Sequence, residues 1–185
     1  MKIGKVHILL ALLAAICLCA VALLLPVRRP VVSAIQAVKG KRTVAERVGQ
    51  YGAAVRARLG PSFERVGVNY PPARATLIGL KSERTLEVWV SGPEGEWKHL
   101  KNYRILGLSG GPRPKLREGD RQAPEGLYRI ESLNPNSLYH LSLRVNYPND
   151  HDRRHGREDG RAKLGSEIMI HGSSGSIGCL AMGNE

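Results

Sequence analysis

What most limits the fold of this chain is a series of short β-prone runs that glycine and proline keep interrupting. From Tyr70-Pro71-Pro72 onward come "ATLIGLK", "RTLEVWV", "YRILGL", "GLYRIESL", "YHLSLRVNY" and "SEIMIHG", separated by "SGPEG", "SGGPRP", "APEG" and "YPND". In the second run Leu86, Val88 and Val90 alternate with Glu87 and Trp89, as in a half-buried strand. In "YHLSLRVNY", Leu141, Leu143 and Val145 share one face while Ser142 and Arg144 take the other. Many short strands with little helix between them predict a mainly β domain, a sandwich or barrel-like sheet.

One amphipathic helix precedes these strands. Thr43-Val44-Ala45-Glu46 has capping-box spacing, and Val44, Val48, Tyr51, Val55 and Leu59 recur on one helical face. Gly60-Pro61 is expected to end it. Arg47, Arg56 and Arg58 read as a solvated or membrane-facing surface. The segment "NDHDRRHGREDGR" (Asn149 to Arg161) has no apolar residue and reads as a loop. At that length it is expected to act as a lid over a site.

The first 27 residues stand apart. Lys2 and Lys5 precede an apolar stretch, and Ile8 to Leu25 is long enough to cross a bilayer. A secretory signal has the same outline. Leu23-Leu24-Leu25 after Ala20 and Ala22 favours an uncleaved anchor over a cleaved one. The expected organisation is therefore an anchor or signal (1–27), a basic linker (28–42), the amphipathic helix with its connector (43–70) and the sheet domain (71–185). Positive charge favours a cytoplasmic domain, because Arg28, Arg29, Lys39, Lys41 and Arg42 outnumber Lys2 and Lys5. The functional reading below points the other way, towards export.

The chain carries 28 basic and 16 acidic residues, a net +12. Nucleic acid is one class of partner for such a charge. With one Phe, no nucleic-acid motif and an apolar segment upstream, an anionic membrane surface or a cell-wall polymer fits better, and nucleic acid is not expected.

Of the three cysteines, Cys17 and Cys19 lie in the apolar segment, leaving Cys179 without an intramolecular partner in the domain. It closes "IMIHGSSGSIGC" (Ile168 to Cys179). His171 ends an apolar strand, Gly172 to Ser176 can turn tightly, and "CLAMGNE" reads as the start of a helix capped by Ser176. A helix N-terminus would favour the thiolate, and a neighbouring imidazole could take the thiol proton. The N–H groups of Gly178 and Cys179 could then bind an oxyanion. Against this stands the plainer possibility of a small buried residue and a strand-end histidine bonded to backbone. No metal site is expected from two such ligands, nor from His151 and His155 in a segment with little claim to be helical.

At these residues the sequence resembles the L,D-transpeptidase (YkuD-like) family and especially its YafK-like branch. His171-Gly172 followed by Ser176-Ile177-Gly178-Cys179 matches its histidine and Ser/Thr-x-Gly-Cys elements. "KLREGDRQAPEGLYRI", "LNPNSLYHLSLRVNYPND" and "EIMIHG" extend the likeness, which runs from about Val44 to the last residue. The resemblance implies a mainly β catalytic domain facing the periplasm or cell wall, from the cytoplasmic membrane or after export. It would act on peptidoglycan stem peptides without a cofactor. Cys179 would be the nucleophile and His171 the base. Ser176 and Gly172 would support the site, Gly178 would shape the oxyanion loop, and Arg157 would contact a substrate carboxylate.

Two positions depart from many members: Ile177 replaces a second histidine, and Ala181 replaces Arg or Asn. Transfer and hydrolysis (an amidase or peptidase) therefore both stay open. So does a non-catalytic wall-binding module, because relatives continue with a helix past "AMGNE" and this chain is expected to be cut short.

Overall fold

The protein is described from a computed structural model that covers residues 40–184. The chain divides into two units, Met1–Lys41 and Arg42–Glu185, and the account below concerns the second. The expected anchor and most of the linker lie outside the described residues. Among the described residues no helix is long and apolar enough to cross a membrane.

Helix α1 spans Val44–Val66. Its N-terminus is the capping box read from the sequence: Glu46 N–H donates to Thr43 Oγ1 (3.2 Å), and Thr43 N–H donates to a Glu46 carboxylate oxygen (2.6 Å). The expected stop at Gly60-Pro61 is wrong. The helix continues through Pro61 and ends at Gly67, which is left-handed (φ 68°). Pro61 forfeits one intrahelical bond, but the turn after it carries Phe63. That ring is buried with Val90 and Leu100, with Leu59, Val66 and Tyr70 packed around it. Arg65 adds a hydrogen bond from its guanidinium to Leu100 O (2.6 Å). Packing in the last turn and a half outweighs the local break.

Strands β1 (Arg74–Leu80), β2 (Thr85–Ser91) and β3 (Lys98–Arg104) form an antiparallel sheet in that order. Leu86 and Val90 are buried, and Val88 packs against the core, as the alternation predicted. The third strand lies earlier than "YRILGL": it runs Lys98–Arg104, with buried Leu100 at the bulge between the Trp89–His99 and Val88–Lys101 pairs, and Ile105 is buried just beyond its end.

Strands β4 (Ile130–Asn134), β5 (Ser142–Val145), β6 (Met169–His171) and β7 (Leu180–Ala181) make a second sheet, also in chain order. β4, β5 and β6 are antiparallel, and β6 pairs with β7 in parallel, so the sheet is mixed. Gly107 and Ala181 bridge the segment after β3 to β7. A cavity of about 560 Å³ bordered by Leu86, Ile105, Val145, Ile168, Ile170 and Leu180 lies where the two sheets approach. The domain is thus sheet-rich, with two helices.

The second helix, α2 (Asp150–Glu158), occupies the segment expected to be a lid loop. An apolar period could not reveal it. Its signal is local: Asn149 and Asp152 form a reciprocal capping box (3.0 and 2.9 Å), with acids in the first turn and His155 and Arg157 in the last. Tyr128 OH to Asp152 (3.1 Å) and Asn149 Nδ2–H to Leu127 O (3.0 Å) fasten it to the chain before β4.

Candidate active site

The register of the second sheet brings the chemistry together. Ser142 lies opposite His171, Arg144 opposite Met169, and His171 beside Ala181. Side chains directly opposite one another share a face, so Ser142, Arg144, Met169 and His171 form one face of β5 and β6. Leu143, Ile170 and Leu180 fall on the other. One step before Leu180, Cys179 draws alongside Met169, whose N–H is bonded to its sulfur.

His171 is buried (5% exposed). Its Nδ1 lies 2.5 Å from Gly172 O. A carbonyl can only accept, so Nδ1 carries a proton; in the neutral ring the lone pair then lies on Nε2, the form a base needs. The Tyr139 ring covers the imidazole at 4.7 Å between centroids.

Gly172 is required where it stands. A Cβ there would meet Tyr139 O at 2.5 Å, Asn184 Oδ1 at 2.6 Å and the His140 Cβ at 2.9 Å. Asn184 also accepts from Ser173 N–H (2.7 Å), drawing the end of the described chain over the turn after β6.

The expected helix after Cys179 is absent, and with it the helix-dipole argument for a thiolate. Leu180 and Ala181 extend as β7 because β6 on one side and Gly107 on the other take up their backbone groups; Ala181 is fully buried. The half-buried thiol donates to Glu167 O (3.7 Å). Burial pushes its pKa up, and the Glu167 carboxylate pushes the same way. The Met169 N–H and the Lys115 charge oppose them without prevailing. The described bonds of the sulfur go to Glu167 and Met169, and His171 stands two residues along β6, roughly 7 Å of strand from Met169.

Ser176 holds the turn before the cysteine. Its hydroxyl donates to Cys179 O (2.6 Å) and accepts from Gly178 N–H (3.3 Å). Of the two N–H groups expected to bind an oxyanion, that of Gly178 is thus engaged inside its own turn. Gly178 adopts φ 133°, and a Cβ there would stand 3.3 Å from Gln122 O, so a side chain would be both strained and crowded.

Arg157 is exposed in the last turn of α2, on a helix rather than a lid. His151 and His155 do have helical spacing, with rings 4.4 Å apart. Among the described residues no cluster of three or more His, Cys, Asp or Glu side chains could hold a metal.

Glu167 and Lys115 were missed as neighbours of the thiol. Glu167 precedes β6 at φ 58° and pairs with Arg144 (2.7 Å), which also binds Glu131 (3.0 Å). The polar face of "YHLSLRVNY" already marked Ser142 and Arg144, but nothing in the sequence tied them to His171.

Cys179 thus stands one residue before β7, and His171 ends the adjoining strand β6 of a mixed sheet. The chain is 42% identical over 108 residues to the protein named "Putative L,D-transpeptidase YafK" in Escherichia coli K12 and to its namesake in E. coli O157:H7. The match takes in 57% of this chain and 41% of each relative, so the chain spans less than half the length of these curated relatives. The resemblance to the YafK-like L,D-transpeptidases stands. No protein-family model matches the chain. The solved structure of Bdellovibrio bacteriovorus Bd1075 aligns with a TM-score of 0.43 and 27% identity, over 63% of this chain and 42% of that one.

Proposed function

We infer that this chain is a cell-wall cysteine acyltransferase, an L,D-transpeptidase acting on the tetrapeptide stems of peptidoglycan, with Cys179 as nucleophile and His171 as base. The observation that carries the reading is the hydrogen bond from His171 Nδ1 to Gly172 O. It holds a proton on Nδ1, so that in the neutral ring Nε2 is the acceptor, at the end of the strand beside β7, which Cys179 enters.

In the reaction, the Cys179 proton passes to His171 Nε2 and the thiolate attacks the carbonyl carbon of the stem residue next to the terminal D-alanine. The C–N bond breaks, the departing D-alanine amine takes the proton from the imidazolium, and a thioester remains. An acceptor amine then attacks that carbonyl, losing its proton to His171, and the C–S bond breaks to return the thiol. Water in place of the amine gives hydrolysis. A thiol whose environment keeps it protonated at rest needs such a base at hand. The site of action is the periplasmic side of the membrane or the cell wall, reached through the apolar N-terminal segment.

The test is mass spectrometry of tetrapeptide muropeptides incubated with the protein and with its Cys179→Ala variant. Loss of D-alanine with new cross-linked mass is the expected outcome. Loss without joining would identify an amidase or peptidase using the same pair. No chemistry, with retention on sacculi by both proteins, would leave a wall-binding module and sink the enzymatic reading.

A further inference from the structure

Ser142 has no structural explanation. Its side chain is 4% exposed, and its hydroxyl oxygen is buried without a hydrogen-bond partner among the described residues. Buried hydroxyls nearly always have a partner, and leaving one without destabilises a fold. Alanine would occupy almost the same space with no such cost. What the serine faces offers an account of it.

It faces His171. The two lie directly opposite in the β5–β6 pairing. The bond from Gly172 N–H to Leu141 O (3.1 Å) makes them a non-hydrogen-bonded pair, in which Cα atoms approach to about 4.5 Å and side chains stand closest. The imidazole is held at Nδ1 by Gly172 and covered by Tyr139. The Ser142 hydroxyl adds a polar neighbour that no other group restrains.

We propose that Ser142 is a positioning residue for His171, a buried hydroxyl that turns its oxygen towards the ring when the imidazole becomes charged. The proposal rests on the reading of His171 as the base. When the S–H bond of Cys179 breaks and an N–H bond forms at Nε2, the positive charge appears in a site sheltered from water. An unengaged hydroxyl rotates to suit either state, and a dipole in such a place is little screened. Ser142 itself gains and loses no proton.

The titratable and charged groups facing the pair are Tyr139 and His140 at the strand end, Glu167 and Lys115 near the sulfur, and Arg144 bound to Glu167. A change at Ser142 alters none of their charges.

The experiment measures the rate of Cys179 alkylation by iodoacetamide against pH on the full chain, resolved from Cys17 and Cys19 by peptide mass spectrometry. The parent, Ser142→Ala, Ser142→Thr and His171→Ala are compared, with thermal unfolding of each. Ser142→Ala is expected to slow alkylation at neutral pH roughly two- to tenfold, the worth of one hydrogen bond. Its profile should move to higher pH while its unfolding temperature holds or rises, and Ser142→Thr should restore the parent profile. A structural serine would give the opposite pattern, lower stability with an unchanged profile, and that result overturns the proposal. If His171→Ala shifts the profile and Ser142→Ala does not, the positioning role alone fails. If neither shifts it, the base assignment fails and takes the proposal with it.

Discussion

Asp120 offers the sharpest test of how the site is supported. Its carboxylate takes the Lys115 ammonium (2.7 Å) and the N–H groups of Leu116 (2.8 Å), Arg117 (3.0 Å) and Gln122 (3.1 Å). This knot fixes the loop that brings Gln122 O against Gly178 and the Lys115 charge towards Cys179. Both side chains are largely buried, 6% exposed for Lys115 and 12% for Asp120. Asp120→Ala leaves the ammonium with only the carbonyl of Arg117 (3.0 Å). Breaking a buried pair from one side costs about 3–5 kcal/mol, against a total stability on the order of 5–15 kcal/mol. Asp120→Asn keeps the shape but points an amide donor at another donor, so it should lose about 1.5–3 kcal/mol, the worth of a hydrogen bond to a charged group. Burial alone would raise the Asp120 pKa; the bonds from Lys115, Arg117, Gln122 and Leu116 overcome it and hold the carboxyl well below its usual 3.8. A folded-state pKa below the unfolded one stabilises above the unfolded value. That contribution is complete above about pH 5 and fades as the pH falls through 3.8 towards the folded value. Urea unfolding followed by the fluorescence of Trp89 and Trp97, at pH 7 and at steps down to pH 3, measures both effects. A loss below about 1 kcal/mol in Asp120→Ala, or an acid dependence in Asp120→Asn as steep as the parent's, would refute the reasoning.

Three further outcomes are expected. Gly172→Ala forces a methyl against Tyr139 O at 2.5 Å, which should cost about 1–3 kcal/mol and depress Cys179 reactivity by moving His171; chemical denaturation and alkylation on one sample check both. Glu167→Gln removes a negative charge that raises the thiol pKa, so the alkylation profile should move to lower pH. An unchanged or higher midpoint would show that burial alone sets it. Asn149→Ala breaks the capping box of α2 and the bond to Leu127 O and should cost about 1 kcal/mol with a loss of helical circular dichroism, which an uncapped loop would not show.

How much of this was legible depended on whether the signal was local. The start of α1 was, because a capping box needs only Thr43 and Glu46, and so was the inward face of β2. The end of α1 was not, since Phe63 finds Val90 and Leu100 far along the chain and tertiary packing overrides Pro61. Helix α2 was locally encoded at Asn149 and Asp152, but a search for apolar periods passes over a helix with none. Motif order put His171 and Cys179 in one short segment, but not the register that sets His171 beside Ala181 and opposite Ser142. The strand at Leu180–Ala181 was not legible either, because two residues take that conformation only through β6 and Gly107. That long-range contact reverses the electrostatics expected of the cysteine, and no reading of "CLAMGNE" by itself contains it.

The reversal also bears on how the site would be switched on. A cysteine at a helix N-terminus would be a thiolate before any substrate arrived. Here the sulfur enters a strand, donates to Glu167 O, and sits near a carboxylate that disfavours its ionisation. Gly178 N–H, meanwhile, is held by Ser176. Both restraints are weak ones: a 3.7 Å thiol bond and a 3.3 Å amide bond are long for their kinds. A carbonyl oxygen developing negative charge beside Cys179 would offer Gly178 N–H a stronger, charge-assisted acceptor than a hydroxyl. On the proposed reading, His171, with Nδ1 already bonded to Gly172 O, would need no change of tautomer to receive the proton at Nε2. If the two act as the proposed pair, the cost of activation falls on the thiol side, and Cys179 reactivity should respond more to the charge at Glu167 than to changes at exposed Arg157 on α2.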